Sequence, residues 1–458
     1  MPGALLQGGT LPLILPPSRI RADLRHIIQA ALDAIDAGNA VRQTLTLHAQ
    51  TLRASSYAYD LRRIHRVVVV GAGKAAVPMA RAVDMVLGAR LDGGYVVAPE
   101  RAGLSRVSGI EIAEAGHPVP DGRSLRAARR VLQIASSMEP ADLLIVLLSG
   151  GASSLLAFPD DGLTLADKQR TTRLLLRSGA AIEEVNAIRK HLSAIKGGRL
   201  AAATRAPVLT LILSDVQGDD LGAIGSGPTA PDRTTFHDAV QVVRRYGLWE
   251  RLPARVRRHL AAGLAGRLQD TPKPRSGVFR RGRHVIVGNN RLAVEAAATA
   301  ARRAGYALIV IEEFLAGEAA DVGHWLGRLG RDLAGRPGLA GPLCVVAGGE
   351  LTVTVRGAGL GGRAQEFVLA AALALEGSRG VWAAGIGTDG RDGPTDAAGA
   401  VADGTTVGRG RRLGLDAGAS LMRNDSYRFF KKVGGHIVTG LTGTNVNDLY
   451  LLLIHPEG

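Results

Sequence analysis

Short apolar runs that end in glycine-rich loops, alternating with helical patterns, constrain this chain more than any other feature. Runs at 66–70, 94–98, 111–115, 142–148, 208–214, 284–287, 307–311, 343–347, 351–355, 381–386 and 449–454 read as strands. Strands separated by helical segments imply a parallel sheet with crossover connections. The runs at 343–347 and 351–355 are joined only by Gly348, Gly349 and Glu350, which reads as an antiparallel hairpin. The second half is therefore expected to be mixed. Residues 271–283 are rich in Pro, Gly and Arg and lack an apolar period, so the boundary is placed there. The expectation is an α/β protein with a parallel-sheet domain at 21–270 and a second α/β domain at 284–458. A chain of 458 residues suffices for two such cores.

Glycine is the residue in excess, at 60 positions, which suggests many places where backbone turns tightly or approaches a ligand. Several of these segments follow predicted strands: Gly71 to Lys74, Ser149 to Ser153, Ser214 to Asp220, Gly288 to Asn290 and Gly387 to Gly390. In open α/β sheets ligands bind beyond the carboxyl ends of the strands. Aromatic residues, at 4%, are too few for base-stacking platforms. The net charge of +15 comes mostly from arginines spread along the chain rather than gathered in a stripe. That distribution favours small anionic substrates over nucleic acid. Cys344 is the single cysteine and no Cys/His cluster has metal spacing, which suits a reducing cytoplasm. The segment 3–17 has no positive charge ahead of it and contains prolines, so it does not read as a signal peptide. The best membrane-span candidate, 143–158, is interrupted by Ser149, Gly150 and Gly151. Monomer and homodimer both stay open.

The run GAGKAA at 71–76 is a strand end, a glycine turn and a helix start, where backbone N–H groups reach a phosphate. Its G-x-G-x-x-A spacing also fits a dinucleotide turn, with Glu100 as the candidate ribose acid. Lys74, inside the turn, suits transferable phosphate oxygens instead. Gly71, Gly73, Ser149, Gly150, Gly151 and Ser153 are thus candidate phosphate ligands, and helix capping by Ser153 or Ser154 is the ordinary alternative. Val185, Ile188, Leu192 and Ile195 keep a helical period, with Asn186, Arg189, Ser193 and Lys196 as a polar stripe beside it and Gly197-Gly198 ending the helix. Arg189 and Lys196 are candidate anion ligands on that stripe, against the plainer reading of a solvated basic face. Asp215 and Asp219 are the candidate magnesium carboxylates, beside Asp220. Asx-turns account for some of these acids. Asp389, or Asp215, is a candidate base for a hydroxyl proton. Arg363, in a glycine run ahead of an apolar helix, is placed to close over a phosphoryl group, unless it merely starts a surface helix. His117 is as much a turn residue as a catalytic one.

Together these segments resemble the class II glycerate 2-kinase family, whose members also carry hydroxypyruvate reductase names and a C-terminal MOFRL domain. The resemblance runs from about Arg21 to Ile454. It rests on GAGKAA at 71–76, GHPVPD at 116–121, SGGASS at 149–154, IRKHLSAIKGGRLA at 188–201, LSDVQGDD at 213–220, GSGPT at 225–229, GGRAQE at 361–366, NDSY at 424–427 and TGTNVNDL at 442–449. It implies transfer of the ATP γ-phosphoryl group to D-glycerate, giving 2-phosphoglycerate, with Mg2+. It also implies a Rossmann-like N-terminal domain, an active site in an interdomain cleft, and Lys74 and Arg363 as leading active-site residues. Two positions depart from the pattern: Ala364 stands where asparagine is expected, and Leu441 where proline is. The alternatives are an NAD(P)H-dependent hydroxypyruvate reductase, drawn from the 71–76 turn, and a non-catalytic nucleotide-binding regulator.

Overall fold

The computed structural model describes residues 18–100, 106–336 and 341–456. The N-terminal segment 3–17, discussed above for targeting, lies outside them. The chain divides into two compact units, Ala37–Val287 and a second made of Gly288–Gly458 with Met1–Asp36. This differs from the expected boundary in two places. Residues 271–283 belong to the first unit: Thr271 is buried and its hydroxyl donates to Asp232 Oδ2 at 2.9 Å. The strand Gly282–Gly288 that follows is the edge of the first unit's sheet. The helix Ser18–Ala34 lays Ile20, Leu24, Ile27 and Ile28 against Asn290–Arg303, so the N-terminus folds with the C-terminal half.

The first unit is built on a sheet in the order Gly282–Gly288, Val208–Leu213, Leu143–Leu148, Val67–Ala72, Gly93–Pro99, Ile110–Ala115, Arg106–Val107. The five central strands are parallel. Every residue of Leu143–Leu148 and Val208–Leu213 is buried, as in a sheet covered on both faces. That is why these strands are unbroken apolar runs. An antiparallel meander, Leu45–His48, Thr51–Ala54 and Tyr57–Asp60, was not anticipated. The helix Ile182–His191 also ends earlier than its pattern suggests. Leu192 leaves helical geometry, and Ser193 and Lys196 lie in the following turn, both buried. No described helix is long and apolar enough to cross a membrane.

The second unit carries a mixed sheet in the order Ala307–Leu315, Leu343–Gly349, Asp448–Ile454, Val381–Gly387, Gly399–Asp403, His436–Ile437. The expected hairpin is not formed. Leu343–Gly349 pairs in parallel with Ala307–Leu315 and antiparallel with Asp448–Ile454. Residues 351–355 make only an isolated bridge, Thr352 with Glu318. Part of the glycine excess is explained here by packing rather than ligands. A side chain at Gly323 or Gly327 of the helix Ala319–Ala334 would collide with the backbone of Arg363–Leu375. Phe367, Phe430, Tyr450 and Leu452 form the core between that helix layer and the sheet.

Candidate active site

In the first unit the chain runs from Val67–Ala72 to Gly93–Pro99 and Ile110–Ala115 on one side, then crosses to Leu143–Leu148 and Val208–Leu213 on the other. The switch point lies between Val67–Ala72 and Leu143–Leu148, where open sheets bind ligands. The loops leaving these two strands are stitched together. Lys74 N donates to Gly150 O at 2.8 Å, Ser149 N to Ala72 O at 3.2 Å, and Ala75 N to Ser149 Oγ at 3.0 Å. Gly73, at φ +140°, leaves the space that the Ser149 hydroxyl occupies, and the His117 ring lies where a Gly151 side chain would go. Gly71 is inside the strand, and its bareness admits Leu147 of the neighbouring strand. Gly71, Gly73 and Ser149 thus have packing roles, while Lys74 keeps an exposed side chain at the start of the helix Ala76–Leu87.

The Ala75 N–H, one of those that a dinucleotide pyrophosphate would use, is taken by Ser149. Glu100 is held by Arg123. Neither observation favours the dinucleotide reading.

Ser153 and Lys196 meet behind the second loop. The Lys196 ammonium donates to Ser153 O at 2.7 Å and Ser153 Oγ at 3.0 Å. The Ser153 hydroxyl is 2.9 Å from that of Ser226, which donates to Asn186 Oδ1 at 3.2 Å. Burial, with the nearby charges of Lys168 and Arg189, holds Lys196 well below the usual lysine range. Asp215 and Asp219 lie at the same end of the sheet, on the partly exposed loop after Val208–Leu213. Asp220 is spent on its own turn, accepting from Gly222 N at 2.9 Å.

The second unit brings together residues far apart in sequence. In the antiparallel ladders Asp448 stands opposite both Gly349 and Gly387. The next residues along, Glu350 and the loop of Thr388 and Asp389, therefore reach the same edge of the sheet. Arg363 opens the helix Arg363–Leu375 there. Its Nε donates to Asp448 Oδ2 at 2.6 Å, Nη2 to Asp448 Oδ1 at 3.1 Å and Nη1 to Glu350 Oε1 at 2.7 Å. Such a fork fixes a guanidinium in orientation as well as position. A cavity of about 760 Å³ opens at this point, lined among others by Arg363, Asp389, Asp392, Asn424 and Asp448. Asp392 is buried and accepts from Ala364 N at 3.0 Å and Gln365 N at 2.8 Å, capping the helix from outside. Ala364 is wholly buried and is not part of the cavity wall.

Asp448 and Glu350 were not singled out from sequence. The Asp448 side chain is 3% exposed, and burial pushes its carboxyl up to about 7 against the opposing pull of Arg363. Tyr450 donates a further hydrogen bond to it at 2.8 Å. Because the folded carboxyl binds its proton more tightly than the unfolded one, this group favours the fold at low pH. The contribution is lost as pH rises from about 4 to about 7. Asp448→Asn is therefore expected to raise Tm relative to wild type progressively across that interval, as read by thermal melts at several pH values. A constant difference in Tm would rule out titration of Asp448 there.

Comparison with known proteins gives these arrangements a family. A profile described as a domain of unknown function, DUF4147, matches residues 23–261, and the MOFRL family matches 343–448. The chain is 38% identical to "Glycerate 2-kinase" of Pyrococcus horikoshii over 95% of its length and 98% of that protein's. It is 44% identical to "Putative hydroxypyruvate reductase" of Agrobacterium vitis over 85% of its length and 87% of that protein's. The crystal structure of glycerate kinase from Thermotoga maritima superposes with a TM-score of 0.85 at 39% identity, covering 96% of this chain and all of that one. With both halves matched and the likeness running through nearly the whole chain, this protein belongs to the glycerate 2-kinase family.

Proposed function

We propose that this chain phosphorylates D-glycerate, transferring the γ-phosphoryl group of ATP to the 2-hydroxyl to give 2-phosphoglycerate and ADP. The observation that carries the proposal is the near full-length likeness to glycerate kinases. Lys74 and Arg363 both lie at strand-end loops, as a site for phosphate requires.

In this reading Lys74 and the Gly150, Gly151 and Ser153 loop hold the nucleotide phosphates, Arg189 adds positive potential behind them, and Lys196 braces Ser153 through its hydrogen bonds. The glycerate hydroxyl gives its proton to a carboxylate as its oxygen bonds to phosphorus. The bond from phosphorus to the β-phosphate oxygen breaks, and the electron pair leaves with ADP. Asp389, partly exposed in the cavity wall, is the base. Arg363 stabilises the charge on the transferring group, and Asp448 and Glu350 position it.

Mg2+ takes one or two protein carboxylates when phosphates and water supply its other ligands. Asp215 and Asp219, two partly exposed acids on one strand-end loop, fit that requirement. Among the described residues no group of three or more His, Cys, Asp or Glu is gathered that would hold an ion alone. When bound with the nucleotide, Mg2+ neutralises phosphate oxygens.

The test incubates the purified chain with D-glycerate, ATP and Mg2+, then adds enolase without a mutase. Conversion of the product by enolase alone is the expected result. Absence of ADP, together with hydroxypyruvate-dependent NADH oxidation, would replace the kinase with the reductase.

A further inference from the structure

The cavity at Arg363 contains a carboxyl that the phosphoryl-transfer steps leave unused. Glu366 follows Arg363 by one turn of the helix Arg363–Leu375, so the two side chains leave the same face, with Cβ atoms about 5–6 Å apart. Both line the cavity of about 760 Å³. Glu366 is only 4% exposed. Its Oε2 accepts from Asn424 Nδ2 at 3.1 Å. That amide is fixed in turn: Oδ1 accepts from Arg356 N at 2.7 Å and Gly357 N at 3.1 Å, and Nδ2 also donates to Thr354 O at 3.3 Å. The backbone groups around Asn424 thus dictate which end of the amide faces Glu366. Glu366 Oε1 accepts from none of the described residues, yet it is not among the polar atoms sealed inside the protein. It opens on the cavity.

A buried carboxyl with one open oxygen calls for one hydrogen-bond partner. Burial pushes the Glu366 carboxyl up, Asn424 opposes, and Glu318 and Asp392 add to the rise. A bare anion is therefore disfavoured there. A metal ion would need more oxygens: among the described residues no group of three or more His, Cys, Asp or Glu is gathered to hold one. A hydroxyl suits either state of the carboxyl, because it donates to the carboxylate or accepts from the acid. With Arg363 on the phosphoryl group at the 2-oxygen of the substrate, the 3-hydroxyl lies one carbon–carbon bond further on, within reach of the next helical turn. Leu351 and Val353 line the same cavity and offer the carbon skeleton an apolar wall. We infer that Glu366 binds the 3-hydroxyl of the substrate and so selects a dihydroxy acid over a monohydroxy one. The inference rests on the kinase reading for the identity of the acid, and the nucleotide ribose is the competing source of the same hydroxyl chemistry.

The experiment measures KM for D-glycerate, KI for D-lactate competing with it, and KM for ATP, in wild type, Glu366→Leu and Glu366→Gln. D-Lactate keeps the carboxylate and the 2-hydroxyl and lacks only the 3-hydroxyl. A site that bonds a hydroxyl rejects the analogue without it, so the wild-type lactate KI should exceed the glycerate KM by roughly 10- to 100-fold. In Glu366→Leu the glycerate KM should rise to meet that KI, while the lactate KI and the ATP KM stay within about two-fold. Glu366→Gln keeps the shape and should fold even where the leucine variant does not, with discrimination falling by roughly 3- to 10-fold as a charged partner becomes a neutral one. Equal rises in glycerate KM and lactate KI would mean a structural role, and a rise in the ATP KM alone would assign the carboxyl to the ribose. Either result, or an unchanged glycerate KM, would overturn the inference. So would a raised Mg2+ requirement with discrimination intact, which would mean that Glu366 holds a cation. A wild type without turnover would instead remove the kinase reading. Thermal shifts then decide the inference alone: D-glycerate should raise Tm more than D-lactate in wild type, the excess should shrink in Glu366→Gln, and no excess in wild type would end it.

Discussion

Replacing Arg363 with alanine is expected to lower kcat for glycerate phosphorylation by about 10³- to 10⁵-fold, the range for an arginine that meets a transferring phosphoryl group. The KM values should move far less, because charge on the transferring group peaks in the transition state. The fold should survive. Arg363 has a side chain 30% exposed and stands in the first turn of a helix already capped by Asp392. Its loss leaves Asp448 buried without a counter-charge, but burial has already brought that carboxyl up to about 7, so it takes a proton instead of remaining ionised. Arg363→Lys should recover little. An ammonium cannot reproduce two parallel hydrogen bonds to Asp448 while also reaching Glu350. Steady-state kinetics with a thermal melt as folding control decides the matter. Turnover near wild type in a folded Arg363→Ala would take this residue out of the mechanism.

Much of the parallel sheet is legible in sequence because its strands are buried on both faces and read as unbroken apolar runs, Leu143–Leu148 above all. What fails is pairing. The run at 351–355 has strand composition, but Leu343–Gly349 already has neighbours on both sides and leaves no edge for a hairpin partner. Gly399–Asp403 is short, and the meander at 45–60 is half exposed, so neither stands out. The site follows the same logic. Lys74 and Arg363 are visible because glycine surrounds them. Asp448 is hidden at the head of an apolar strand, and only the ladders that set it opposite Gly349 and Gly387 disclose its partners.

Lys74→Ala is expected to act differently from the arginine substitution, with kcat falling about 10²- to 10³-fold and the ATP KM rising as well. In the proposed mechanism the ammonium meets phosphate oxygens both before and during transfer, so its removal is expected to weaken nucleotide binding and transition-state stabilisation together. The backbone should stay in place, since Lys74 N is tied to Gly150 O at 2.8 Å and Gly73 is fixed against Ser149 whatever side chain follows. A readout independent of activity comes from His117. Burial lowers its pKa and the Lys74 charge lowers it further. Removing that positive charge eases protonation of the imidazole, so in Lys74→Ala the His117 pKa should move up towards the usual histidine value while staying below it. Titration of the His117 ring by NMR measures this in both proteins without nucleotide. A rise in pKa with loss of turnover supports an ammonium poised over the 71–76 and 149–153 loops and acting on phosphate. An unmoved His117 would mean that Lys74 points elsewhere in solution, and any loss of turnover would then need another cause.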